Sequence, residues 1–260
     1  MAIEIIKEPK VSRESAAGNT HNKVYALLKN STKSGKVLDI PCGSGAFLRR
    51  LLDGGYATYG ADLVQHEALP DAAEFMSADM NRTLPYEDAT FDVVVSIEGI
   101  EHIKRPFDFI SECNRILKPN GMLILTTPNI SSLRSRWRWF LTGFHNKGKL
   151  PLDDNDPQPR HHINLLSFPQ LRYMLHTSGF QITAIHSNRI KLASLLYLPC
   201  WPVSRLITSL VCKKGAKNGT QDTLFRHITR QLYSFDVAFG ESLILVAHNT
   251  RQQSVPPVSD

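Results

Sequence analysis

The chain has 260 residues, 42% hydrophobic and 21% charged, an ordinary balance for a globular protein with a full core. Its net charge of +6 gathers in patches such as SLRSRWRWF, but no nucleic-acid-binding motif accompanies them, so nucleic acid is set aside as a partner. The opening MAIEIIKEPKVSRE lacks a signal-peptide pattern, and four well-separated cysteines (Cys42, Cys113, Cys200, Cys212) show no zinc spacing, so a cytoplasmic location with idle thiols is expected.

Residues 1–35 are read as an N-terminal helical segment, followed by a core over 36–189. KVLDI (36–40) predicts a strand, and AFLRRLLDGG a helix closing at Gly54 and Gly55. YATYGADL and AEFMSAD predict two more strands, ending near Asp62 and Asp79. FDVVVSI (91–97) has the uninterrupted β-branched run of a strand buried on both faces. Pro106 starts the helix PFDFISECNRIL, KPNG (118–121) marks its end, and GMLILTTP supplies a fifth strand. This alternation predicts an open, doubly wound α/β sheet of the Rossmann-like kind.

Residues 130–165 are basic, aromatic and then proline-rich, and are expected as a loop covering a site. SFPQLRYMLHTSGF predicts a helix from near Ser167 to Gly179, and QITAIHS a strand. Residues 190–239 are read as a helical insertion before a last core strand at 240–250, with a disordered tail at 251–260. Inside the insertion, LASLLYLPCWPVSRLITSLVCKK (192–214) is too interrupted by Pro199, Pro202 and Arg205 for a transmembrane helix. It is read first as a packed subdomain, with peripheral contact at the inner membrane surface as the competing reading.

The loop after the first strand, DIPCGSG, carries Gly43 and Gly45. Leu48 stands where a dinucleotide fingerprint needs its third small residue, and no Walker lysine follows, so both phosphate-ligand readings weaken. Three acids sit at strand ends, where a parallel sheet would bring them to one crevice. Asp62 suits two ribose hydroxyls, Asp79 with Met80 suits adenine, and Asp39 suits an ammonium group or the orientation of the loop.

VLDIPCGSGAF, the acid ending the next strand, SADMN, FDVVVSIEGIEHI, ILKPNGMLILTTPN and GESLILVA occur in register. Together they resemble the class I S-adenosylmethionine-dependent methyltransferases, of the type 11 and ubiquinone-pathway kind. The resemblance implies a seven-stranded sheet whose last strand is antiparallel, and S-adenosylmethionine as cofactor. It places the methionine part of that cofactor on Asp39, Pro41, Gly43 and Gly45, the ribose on Asp62 and the adenine on Asp79 and Met80. Ile97 and Glu98 would border the methyl group.

EGIEH (98–102) resembles the motif of ubiquinone-pathway O-methyltransferases that is linked there to a divalent cation. Because the motif also occurs in relatives without that role, no metal is assigned, and Glu98 and His102 stand as catalytic candidates. His162, in the stretch RHHINLLSF, is the candidate base. The expected reaction is methyl transfer, at oxygen, to a small-molecule, lipid-linked or glycan acceptor. A non-catalytic cofactor-binding module and a nicotinamide-dependent dehydrogenase are the alternatives.

Overall fold

The structure is a computed structural model that describes residues 16–250. The expected tail at 251–260 and the first part of the N-terminal segment lie outside the described residues. In chain order the elements are α1 (Thr20–Ser31), β1 (Lys36–Asp39), α2 (Ala46–Asp53), β2 (Ala57–Asp62), β3 (Glu74–Ser77), β4 (Phe91–Ile97), α3 (Pro106–Ile116) and β5 (Leu117–Pro128). Then follow α4 (Leu133–Thr142), α5 (Phe168–Thr177), β6 (Phe180–Ser187), α6 (Leu192–Leu195), α7 (Cys200–Gly215), α8 (Gly219–Leu232), α9 (Phe235–Phe239) and β7 (Ser242–Asn249).

The seven strands form one sheet in the order β3-β2-β1-β4-β5-β7-β6. β1 to β5 run parallel, and β7 enters antiparallel between β5 and β6, as the resemblance implied. Strand order reverses between β1 and β4, and a sheet of this kind leaves a crevice beyond the carboxyl ends of the strands at such a point. On β4, Val93, Val94 and Val95 are all buried, because α1 and α2 cover one face of the sheet while α3 and α5 cover the other.

Two segments differ from the sequence expectation. KPNG does not separate helix from strand: β5 already pairs at Leu117, and the register with β4 then jumps from Phe91↔Leu117 to Val93↔Met122. Those residues form a bulge, held where the Lys118 ammonium meets Asp92 at 2.8 Å. The expected covering loop also contains a helix, α4. Ser132 caps it by accepting the Ser135 N–H at 3.3 Å, and Gly143 ends it in the left-handed region at φ 73°. Only Leu133 and Ser135 of α4 are buried, so it lacks the apolar stripe by which a core helix is recognised.

The insertion is helical throughout its central part. Leu133, Tyr233, Ala238 and Phe239 form a small core, with Leu195, Tyr197 and Trp201 packed against it, that joins α4 to α6–α9. No helix among the described residues is long and apolar enough to cross a membrane.

Candidate active site

A cavity of about 1050 Å³ opens over the carboxyl ends of β1, β2 and β4. Of the positions singled out in the sequence, Asp39, Pro41, Gly43, Asp62, Asp79, Met80, Ile97, Glu98, His102 and His162 all line it. Gly45 does not. A Cβ there would stand 2.9 Å from both Leu69 and Pro70, and its φ is +81°, so loop packing and the start of α2 by themselves require glycine at this position.

Asp39 ends β1 with a carboxyl only 2% exposed, whose Oδ1 has no hydrogen-bond partner. Burial first, and the nearby Asp62 charge second, push it well above the usual carboxylate range. A buried acceptor without a donor, on a residue that lines a cavity, is costly unless a ligand supplies the donor. Asp62 ends β2 and steadies the loop opposite: Oδ2 accepts the Gly43 N–H at 2.8 Å and Oδ1 the Leu63 N–H at 2.7 Å. Each of those oxygens keeps a further lone pair for a ligand hydroxyl.

Asp79 is more committed than the sequence suggested. Its Oδ1 accepts from the Asn81 N–H at 2.9 Å and from Asn81 Nδ2 at 3.1 Å, closing a turn that places the buried Met80 on the wall. Asn81, which the sequence did not flag, uses its Oδ1 to accept the Lys104 N–H at 2.7 Å, and so ties this turn to the segment after β4. Gly99 was missed as well: a Cβ there would lie 2.3 Å from Pro41 Cδ, and only glycine allows the two loops to touch.

Glu98 leaves β4 with φ 50°, and Ile100–His102 form a single 3-10 turn. Burial raises the Glu98 carboxyl. Glu101 is fully buried; Oε2 accepts from Thr127 Oγ1 at 3.0 Å, and Oε1 has no partner. Burial, and then the Glu98 charge, push Glu101 up to about 8.

The segment after α4 docks on this turn. His102 Nδ1 donates to the His161 carbonyl at 3.0 Å, and the Asn164 N–H donates to the Glu101 carbonyl at 3.0 Å. Because a carbonyl can only accept, the proton of neutral His102 sits on Nδ1 and leaves a lone pair on Nε2. His162 stands edge-on to His102, ring centroids 4.8 Å apart. Burial, with His102 and Lys147 close by, lowers His162 to about 4, so it is neutral at pH 7. Glu101, His102 and His162 each offer one ligand atom, all within 4.8 Å of one another, a donor set able to take a divalent cation. Lys147, Ala16, Ala17 and His21 also line the cavity and carried no signal in the sequence beyond their composition.

The strand order with its antiparallel β7, and strand-end acids at the switch-point cavity, define a class I S-adenosylmethionine-dependent methyltransferase fold. The chain belongs to the methyltransferase domain family, whose model matches residues 14–185. It is 26% identical over 178 residues to a probable S-adenosylmethionine-dependent methyltransferase of Mycolicibacterium smegmatis, covering 67% of this chain and 63% of that relative. It is 29% identical over 141 residues to a ubiquinone biosynthesis O-methyltransferase of Cereibacter sphaeroides, covering 46% of this chain and 55% of that one. The chain thus spans less than two thirds of the length of these relatives. A crystal structure of an S-adenosylmethionine-dependent methyltransferase from Archaeoglobus fulgidus superposes with a TM-score of 0.53 at 18% identity, over 88% of this chain and 95% of that one, a likeness of fold.

S-adenosylmethionine is the cofactor implied, and the residues present fit it. Asp39 lines the cavity and has an unpartnered Oδ1, an acceptor suited to an ammonium donor, and Asp62 keeps lone pairs for hydroxyls.

Proposed function

We propose that this protein transfers a methyl group from S-adenosylmethionine to an oxygen of an amphiphilic, lipid-linked or glycan acceptor. The observation that carries the reading is the juxtaposition, in one cavity, of an unpartnered buried carboxyl (Asp39) and two neutral, half-buried imidazoles (His102, His162). The cofactor supplies a methyl carbon on a sulfonium centre, an electrophile that needs placing more than activating.

The chain's own residues divide the remaining work. Asp39 holds the ammonium, Asp62 the ribose, and Met80 and Ile97 the apolar walls. His102 takes the acceptor's proton on Nε2, because its Nδ1–H is anchored to the His161 carbonyl and the ring cannot swing away. The base role expected for His162 passes to its neighbour: a group held near pH 4 is a weak proton acceptor, and His162 serves instead as a wall set edge-on against the His102 ring. Lys147 on the same wall favours an anionic or polar head on the acceptor.

A panel of long-chain phenols, alcohols and amines, with methyl-labelled cofactor, tests the reading. Label is expected on the amphiphilic hydroxyl compounds. Label on amines alone would overturn methylation at oxygen, and a preference for short neutral acceptors would overturn the amphiphilic assignment.

A further inference from the structure

Helix α7 is mounted the wrong way round for a globular protein. The stripe it turns to the body is largely polar: Trp201 Nε1 donates to the Tyr233 carbonyl at 3.1 Å, Thr208 Oγ1 meets the Tyr233 hydroxyl at 2.8 Å, and Cys212 lies against Thr229. The opposite stripe is Val203, Leu206, Ile207, Leu210 and Val211, each 56–65% exposed. That spacing (i, i+3, i+4, i+7, i+8) is the one by which helices bury an apolar face in a core. No residue of α7 is buried, and its 16 residues make a rod of about 24 Å.

The apolar face does not end with α7. Leu192 and Leu196 beside it are 82% and 79% exposed. Trp137 of α4 lies 6.5 Å, centroid to centroid, from Tyr197 and 6.1 Å from the exposed Phe140, so these two α4 aromatics extend the same surface. A continuous apolar surface of this size is uncommon on a protein that remains alone in water.

Charge decides the occupant. Residues 129–152 and 190–218 contain no Asp or Glu, and each stretch carries five Lys or Arg. Lys191 and Lys147 meet Glu241, and Arg136 covers the Tyr233 ring. Lys213, Lys214 and Lys217 follow the apolar stripe at the C-terminal end of α7, Arg205 lies over Trp201, and Arg134 stands on α4. Two copies of this face would press like charges together, whereas a negatively charged lipid surface satisfies the apolar stripe, the tryptophans and the basic rim at once.

We infer that the exposed face of α4, α6 and α7 is a docking surface for anionic phospholipid membranes, with α7 lying in the interface rather than crossing it. The same acid-free segment leads inward: Trp139 stacks on His145 at 6.1 Å, and Lys147 and Leu152 line the cavity. The docking stands apart from the acceptor reading, since it concerns surface residues that touch neither acid nor imidazole of the cavity.

Flotation of the full chain with vesicles of phosphatidylcholine, alone or mixed with phosphatidylglycerol, tests it at low and high salt. The wild type is expected to float with the mixed vesicles, at least roughly tenfold better than with neutral ones, and less so in high salt. A Leu206→Ser/Leu210→Ser variant changes only exposed positions. It is expected to lose that binding while keeping its unfolding temperature and its affinity for S-adenosylhomocysteine. Wild type that stays with the soluble fraction, or a variant that floats equally well, would overturn the inference. So would a concentration-dependent dimer that the variant abolishes, which would make the face a protein interface.

Discussion

Replacing Glu101 by Gln should stabilise the ligand-free protein at alkaline pH and leave it nearly unchanged in acid. The carboxyl is fully buried, and its folded-state value near 8 lies far above the ordinary 4.5 because burial, and then the Glu98 charge, disfavour the ionised form. The folded protein therefore holds this proton more tightly than the unfolded chain does. The stability it contributes is whole below pH 4.5 and is lost as pH rises through 8. At about 1.36 kcal/mol for each pH unit in that window, the ceiling is roughly 5 kcal/mol. Because the two acids share their protons and water can relax around the charge, a few kcal/mol is the realistic size. Gln has the same shape and can accept the Thr127 hydroxyl that Oε2 now accepts at 3.0 Å, but it never ionises. Urea unfolding of both proteins from pH 4 to 9 measures the effect. The two stability curves should meet near pH 4, separate as pH rises towards 8 and keep that separation above it, with the variant the more stable. Curves that stay parallel across the range would refute the placement of Glu101 in a water-poor pocket.

Three further outcomes follow from the cavity. Asp39→Asn should weaken S-adenosylmethionine binding roughly 10- to 100-fold, the worth of one charged hydrogen bond, by calorimetry. Because an ammonium partner favours the ionised form of Asp39, wild-type affinity should rise with pH through its elevated value, and the heat of binding should vary with the buffer's ionisation enthalpy. Gly99→Ala should cost about 1–3 kcal/mol in urea unfolding, because the added methyl would stand 2.3 Å from Pro41 Cδ. With a turnover acceptor in hand, His102→Gln should lower kcat by about 10²-fold or more and His162→Gln much less. Burial keeps the His102 value below the usual 6.5, so the acid limb of the wild-type rate profile should fall below that pH and plateau above it.

The core sheet was legible because its signals are local. The Val run of β4, the acids ending β1 and β2, and the Pro106 helix start are each fixed by a few neighbouring residues. Contacts made at long range were not legible. Gly99 looks like any loop glycine until Pro41 is brought against it, and Asn81 looks like a turn residue until Lys104 and Arg105 point their N–H groups at it. The packing of Gly45 against Leu69 and Pro70 was illegible for the same reason, since a glycine beside a ligand and a glycine beside Leu69 leave the same mark in a sequence. The helix α4 was missed because its aromatic residues face outward, so its pattern reads as basic and irregular. Lys147 and His21 reach the cavity from segments with no motif of their own.

The central claim is that the cavity over β1, β2 and β4 is an S-adenosylmethionine site. Calorimetric titration of the purified full chain with S-adenosylmethionine, S-adenosylhomocysteine and NAD tests it most directly, on wild type and on Asp62→Ala. Saturable one-to-one binding of both adenosyl compounds, lost in the variant and absent with NAD, is the predicted result. A folded wild type that binds neither adenosyl compound, or binds NAD in their place, would contradict the account.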